Sequence, residues 1–189
     1  MEWMRNLRPV LALLCAAAAG GSQGVQKVQS LILRLEEAQR TRARVSFALT
    51  EDEYNDYLGW SLSSEPRPGV EKVNLKFFPQ NYVSSLAVVD LDAVQRWKPD
   101  MIPALLRPLM RGRRSFWVDF RFQVREGTLT YTVEKAYVEN VRVPAFVVQE
   151  VIRAVAAKQP EQYDTSKPLA MPHGVQRLWT EQSRVLGSN

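Results

Sequence analysis

The residues with the most to offer chemically form one short segment. Arg107, Arg111, Arg113 and Arg114 crowd around Leu105, Leu106, Leu109 and Met110. Guanidinium groups hold phosphate through paired hydrogen bonds, while apolar side chains between them can dip into a lipid interface. Trp97 nearby has the amphipathic ring that suits such an interface. The same composition also fits an inter-strand lid whose apolar side packs on a core and whose arginines stay solvated.

Catalytic constellations are sparse. The chain has one histidine and one cysteine, and its carboxylates are scattered, so neither a metal site nor a bound cofactor is expected. His173, within Met171-Pro172-His173-Gly174, reads as an exposed loop residue with few partners for nucleophilic chemistry. Gly59-Trp60-Ser61-Leu62-Ser63 lacks the final glycine of a nucleophile elbow and falls in or at the end of a helix. No glycine-rich phosphate loop is present. Thr50-Glu51-Asp52-Glu53 has acids in sequence, but the spacing is that of a capping box, with the acids at the positive end of a helix dipole. An enzyme would need polar groups converging in a cleft, for instance Asp119, Glu134 and Asp164, and nothing in the sequence brings these together. The expectation is a non-catalytic protein.

The first residues read as an address. Arg5 and Arg8 precede the apolar run Val10 to Ala19, and Ala16 to Gly21 offers small residues for cleavage. Residues 1–19 are therefore expected to be a cleaved signal peptide, and the run is short for a membrane span. Cleavage after Ala19 removes Cys15 and leaves a chain without disulfides, periplasmic or secreted. Cleavage takes the formal charge from +5 to +4, which points to anionic lipid or polymer surfaces, and export argues against nucleic acid.

The elements that position these groups follow from hydrophobic period. Val25, Val28, Leu31, Ile32, Leu35 and Ala38 have helical spacing. Residues 20–44 are read as an N-terminal surface helix, and 45–189 as a single α+β domain. Val45 to Leu49 reads as a strand, and Thr50 opens a helix that stops near Ser63-Ser64. Val70 to Phe78 and Tyr82 to Leu91 make a hairpin. Phe116, Val118, Phe120, Phe122 and Val124 alternate with Trp117, Asp119, Arg121, Gln123 and Arg125. Glu126-Gly127 turns the chain into Leu129, Tyr131 and Val133, and Ala136 to Val143 reads as a third strand after a bulge near Lys135-Ala136. Pro144 opens a helix over 144–158 that is apolar around most of its girth, so burial is expected. Val175 to Trp179 and Gln182 to Leu186 read as a last hairpin, with Gly187-Ser188-Asn189 as a frayed end. The fold expected is α+β, a strongly twisted antiparallel sheet curled around a long apolar helix.

Leu49-Thr50-Glu51-Asp52-Glu53-Tyr54-Asn55-Asp56-Tyr57-Leu58 resembles the opening of exported bacterial proteins with a tubular lipid-binding (TULIP-like) fold. Val88-Val89-Asp90-Leu91-Asp92 and Val141-Arg142-Val143-Pro144-Ala145-Phe146-Val147-Val148 are similar in layout. The nearest group is the LmeA-like family of envelope phospholipid-binding proteins, and the likeness covers roughly Val45 to Trp179. It implies a half-barrel sheet wrapped on a long helix with lipid in the groove, and it carries over no ligand residue.

Two readings of function follow. In the first, an exported envelope protein binds or shuttles a phospholipid or other acyl-chain lipid. Phe77, Phe116, Phe120, Phe122, Tyr131, Phe146, Val147 and Val151 would line its groove. Trp97, Leu105, Leu106, Arg107, Leu109, Met110, Arg111, Arg113 and Arg114 would meet headgroups or an anionic membrane. In the second, the interior is filled and the protein is an envelope scaffold or assembly factor with a protein partner. A continuous apolar void favours the first, and a solid core the second.

Overall fold

The computed structural model describes residues 22–66, 68–97, 111–149, 153 and 167–189. The signal peptide expected over 1–19 lies outside them. Helix α1 (Gln23–Thr41) leads to strand β1 (Ser46–Thr50), helix α2 (Glu51–Ser64), and the hairpin β2 (Val70–Phe78) and β3 (Tyr82–Asp90). Helix α3 (Leu91–Trp97) follows, then β4 (Arg113–Arg125), β5 (Thr128–Val138), β6 (Val141–Val143) and a helical turn at 145–149. The short β7 (Leu169–Ala170), a 3-10 turn (Pro172–Gly174), β8 (Arg177–Glu181) and β9 (Arg184–Ser188) complete the described chain. The architecture is α+β with a twisted antiparallel sheet.

Two sheets form. The larger has six strands, in the order β2-β3-β4-β5-β6, with β7 also on β5; the smaller is β1-β9-β8. Every pairing is antiparallel. Period-two alternation puts Leu75 and Phe77 of β2, Val83 of β3, and Phe120 and Phe122 of β4 on the inner face. Glu126 and Gly127 both have positive φ, 49° and 73°, the geometry that joins strands of right-handed twist through two residues.

The bulge lies one residue before the predicted site. Asp119 faces Lys135 and Phe120 faces Val133, so Glu134 is the extra residue. The added residue shifts the phase of β5, which keeps Val133, Ala136 and Val138 on one side despite their unequal spacing. The third strand predicted over Ala136 to Val143 is divided. Its first three residues continue β5, a two-residue turn reverses the chain at 139–140, and only Val141–Val143 form β6.

The motif at α2 works as a lock on the exposed edge of β2. Thr50 and Glu53 form the expected capping box, and Glu53 also accepts from Lys27 Nζ at 2.7 Å. The Glu51 carboxylate accepts from the Phe77 amide at 3.0 Å. The Asn55 side chain both donates to the Leu75 carbonyl and accepts from its amide, each at 2.8 Å. Ser183 in the β8–β9 turn donates its amide to the Phe77 carbonyl at 2.9 Å. An unpaired strand edge is a template for aggregation, and these side chains and the Ser183 amide occupy it.

Two expectations are corrected, and a third is met only over its described residues. The helix predicted to lie on the surface, α1, belongs to the core: Val25, Val28, Leu31, Ile32, Leu35 and Ala38 are all buried. A stripe that apolar and that long gains more by closing over a sheet than by lying in water. The C-terminus is not frayed. Gly187 and Ser188 pair with Phe47 and Ser46, and the Asn189 side chain accepts from the Val45 amide and donates to the Ala43 carbonyl. Finally, residues 145–149 are helical, but the rest of the helix expected over 144–158 falls outside the described residues apart from residue 153, itself helical. Among the described residues, α1 and the small sheet face the large sheet, joined by Tyr54 of α2 and Val148 of the helical turn.

Gly69 has the tightest backbone requirement. Its φ is +84°, and a Cβ there would lie 2.5 Å from the Asp90 carbonyl and inside the Val94 side chain. Gly69→Ala must therefore distort the β2 entry and α3 together. A loss of about 2–4 kcal/mol is expected in urea unfolding, from left-handed strain plus overpacking. A change under about 0.5 kcal/mol, the range of ordinary surface substitutions, would contradict this packing.

Candidate functional site

Between the six-stranded sheet and the layer of α1 and the small sheet lies a cavity of about 410 Å³. One wall is the inner face of the large sheet: Leu75, Phe77, Val83, Ser85, Phe116, Val118, Phe120, Phe122, Leu129, Tyr131 and Val133. The other is Leu31, Ile32 and Leu35 of α1, Phe47 and Leu49 of β1, and Leu178 and Val185 of β8 and β9. Met171, Pro172 and Val175 close one end, and Tyr54, Val148 and Leu169 complete the lining.

The lining is almost purely hydrocarbon. Ser85 donates its hydroxyl proton to the Val118 carbonyl at 3.2 Å. Burial pushes the Tyr54 phenol up to about 12 and raises that of Tyr131, so both stay neutral at physiological pH. No described lining residue carries a charge. Such a lining solvates hydrocarbon. An apolar cavity of ~150 Å³ stays dry and holds benzene, so by proportion this one has room for a chain on the order of sixteen carbons.

Shape agrees with volume. Phe116 to Phe122 runs along β4 for about 20 Å at the rise of a strand. One lipid leaflet is about 15 Å of hydrocarbon, half a bilayer core. The cavity is thus long enough for one acyl chain. Leu31, Ile32, Leu35, Met171 and Val175 at one end are buried, whereas Phe116, Val118 and Val148 at the other are only partly covered. The mouth lies at the second end.

The structure brings five of the predicted groove residues into this lining: Phe77, Phe116, Phe120, Phe122 and Tyr131. Phe146 and Val147 do not line it. Phe146 is 66% exposed, and Val148 is the residue of that turn that faces inward. Pro144 sets where the helical turn starts and so which position points in. Val151 lies outside the described residues, as do Leu105, Leu106, Arg107, Leu109 and Met110. Trp97 ends α3 and is half-exposed. Arg111 is exposed, Arg113 pairs with Glu71 at 2.7 Å, and Arg114 shares the face of β4 that carries Phe116. Residues missed from the sequence divide in two. Val118, Leu129 and Val133 have the parity of the aromatics and were legible; the β1, β8 and β9 contributions depend on pairing across most of the chain.

The other polar features stand apart from the cavity. Asp119 is buried on the outer face of β4, where Ser84 Oγ donates to it at 2.6 Å and Trp117 Nε1 at 2.8 Å. Glu134 pairs with Arg121 instead of joining it, and Asp164 lies outside the described residues. Burial alone would raise the Asp119 carboxyl; hydrogen bonds from Ser84, Tyr82 and Trp117, with Lys135 nearby, outweigh it and hold the group below its ordinary 3.8. A depressed folded-state value gives stability that is present above the unfolded value and lost as pH falls through the folded one. The difference in urea midpoint between wild type and Asp119→Asn should therefore be largest near neutrality and shrink below about pH 4. A difference that does not change with pH would refute that role. His173 is corrected as well: its side chain is 11% exposed, with Nδ1 3.3 Å from Glu36 of α1, so it belongs to a contact between α1 and the 3-10 turn.

Comparison with protein-family models finds no match, and comparison with curated proteins finds none either. Among the described residues no helix is long and apolar enough to cross a membrane, and no group of histidine, cysteine and acid residues is placed to hold a metal.

Proposed function

We propose that the protein is an exported cell-envelope carrier that binds or shuttles a phospholipid or another acyl-chain lipid without catalysis, in a TULIP-like manner. One observation carries the reading: a cavity of about 410 Å³ whose described lining is uncharged and apolar, with side chains from both layers. It favours the carrier over a filled scaffold, for which such a void would be a defect costing stability. Each methylene moved from water into the cavity gains roughly 0.8 kcal/mol, and a bilayer offers about the same. The cavity therefore needs only to match the bilayer for a chain to exchange between them. The signal peptide read at residues 1–19 would place the carrier in the periplasm or outside the cell.

The test is transfer. Donor vesicles carrying a self-quenched fluorescent phospholipid are mixed with unlabelled acceptors and a catalytic amount of the mature protein. The carrier reading expects dequenching at a rate proportional to protein concentration. Dequenching at the protein-free rate, together with no uptake of a fluorescent fatty acid, would refute it.

A further inference from the structure

We propose that the open end of the large sheet is a rim that docks on the surface of an anionic phospholipid bilayer. The proposal rests on the carrier reading in one respect, that the mouth this rim surrounds is the mouth of the lipid cavity.

Two of the exposed large apolar side chains stand at or beside this end, and a third follows the strand that leads away from it. Trp97, 49% exposed, ends α3, which leaves β3 directly. Val141, 69% exposed, follows the β5–β6 turn, and that turn sits on the start of β4 through the Glu139 amide, which donates to the Ser115 carbonyl at 2.8 Å. Phe146, 66% exposed, comes three positions after β6. The others, Leu33, Trp117 and Trp179, stand singly on α1, the outer face of β4 and β8. Clustering of large apolar groups in water marks a contact surface, and single ones do not.

Charge decides the partner. Among the described residues three acids at this end are engaged: Glu71 with Arg113, Asp90 with Arg96, and the Glu139 carboxylate with the Ser115 amide. Asp92, at the start of α3, and Glu65, after α2, are the other described acids near this end. Arg111, Arg114 and Arg142 are exposed and carry no ion pair among the described residues. Arg114 follows the inner-face row of β4 beyond Phe116, so it stands at the cavity mouth, where a lipid phosphate would pass. Exposed aromatic and aliphatic tips with unpaired arginines fit a bilayer with negative headgroups. A lipid mouth must also reach a bilayer, because a free acyl chain in water forfeits roughly 0.8 kcal/mol per methylene.

The experiment is co-sedimentation of the mature protein with vesicles of phosphatidylcholine, alone or mixed with phosphatidylglycerol. Binding to the mixed vesicles that fades in high salt is expected, with little binding to phosphatidylcholine alone. Arg114→Ala with Arg142→Ala should weaken it about 25-fold, at about 5-fold per arginine near an anionic surface. Phe146→Ser with Val141→Ser should weaken it about 10-fold or more through lost apolar insertion. All four positions are exposed, so thermal melts should match wild type. Uptake of a fluorescent fatty acid from solution should also be unchanged in the Phe146 and Val141 variant, since neither residue lines the cavity. Equal binding to the two vesicle types, no binding by the wild type, or variants that bind like it would overturn the rim. Loss of fatty-acid uptake in the wild type would instead strike the carrier reading and leave the vesicle result to judge the rim.

Discussion

Val118→Trp should empty the protein of lipid while leaving it folded. Val118 lies on the inner face of β4, half-buried, and lines the cavity near its mouth. An indole there projects into existing void, so it avoids the strain that overpacking imposes on a filled core. If it displaces about four methylenes of a bound chain, affinity falls by about 3 kcal/mol, on the order of 200-fold. Fluorescent fatty-acid titration reads the affinity, and a thermal melt reads the fold. Undiminished affinity would mean that the ligand does not use this cavity. Collapse of the melt would mean that the space beside Val118 is already filled.

Asn55→Ala should cost more stability than its half-exposed setting suggests, about 2–4 kcal/mol in urea. The side chain makes both hydrogen bonds that a neighbouring strand would make to Leu75. Removing it leaves an amide and a carbonyl unmet on a partly buried edge, each at about 1–2 kcal/mol. It also uncovers an edge that can pair with another molecule, so faster aggregation on heating is expected. Asn55→Asp keeps the acceptor for the Leu75 amide but faces the carbonyl with a negative charge, and should fall between. A loss under about 0.5 kcal/mol for alanine, within the ordinary surface range, would show that α2 does not lock β2.

Much of the architecture was legible because its causes are local. Alternation from Phe116 to Val124 fixes the face of β4, the Thr50–Glu53 spacing fixes the start of α2, and Gly127 permits the tight turn. What the sequence hid depends on partners far along the chain. The stripe of α1 has the same period whether it meets solvent polymer, a partner or its own sheet. Ser46 pairs with Ser188 across nearly the whole chain, so the last residues look frayed until that pairing is seen. His173 looks exposed until Glu36 is placed beside it. In the site, the aromatic wall was readable from parity. The opposite wall, from α1, β1, β8 and β9, was not, because no local period says which elements will face one another. The Asn55 contact to β2 was equally hidden, since its helix position gives no sign of a strand edge within reach.

The most direct test of the central claim is native mass spectrometry of the mature protein purified without detergent, followed by solvent extraction and lipid analysis. The carrier reading predicts a bound mass of one acyl-chain lipid, released on extraction and absent from Val118→Trp. A wild-type protein that flies empty, yields no lipid on extraction and takes up none from added vesicles would contradict it.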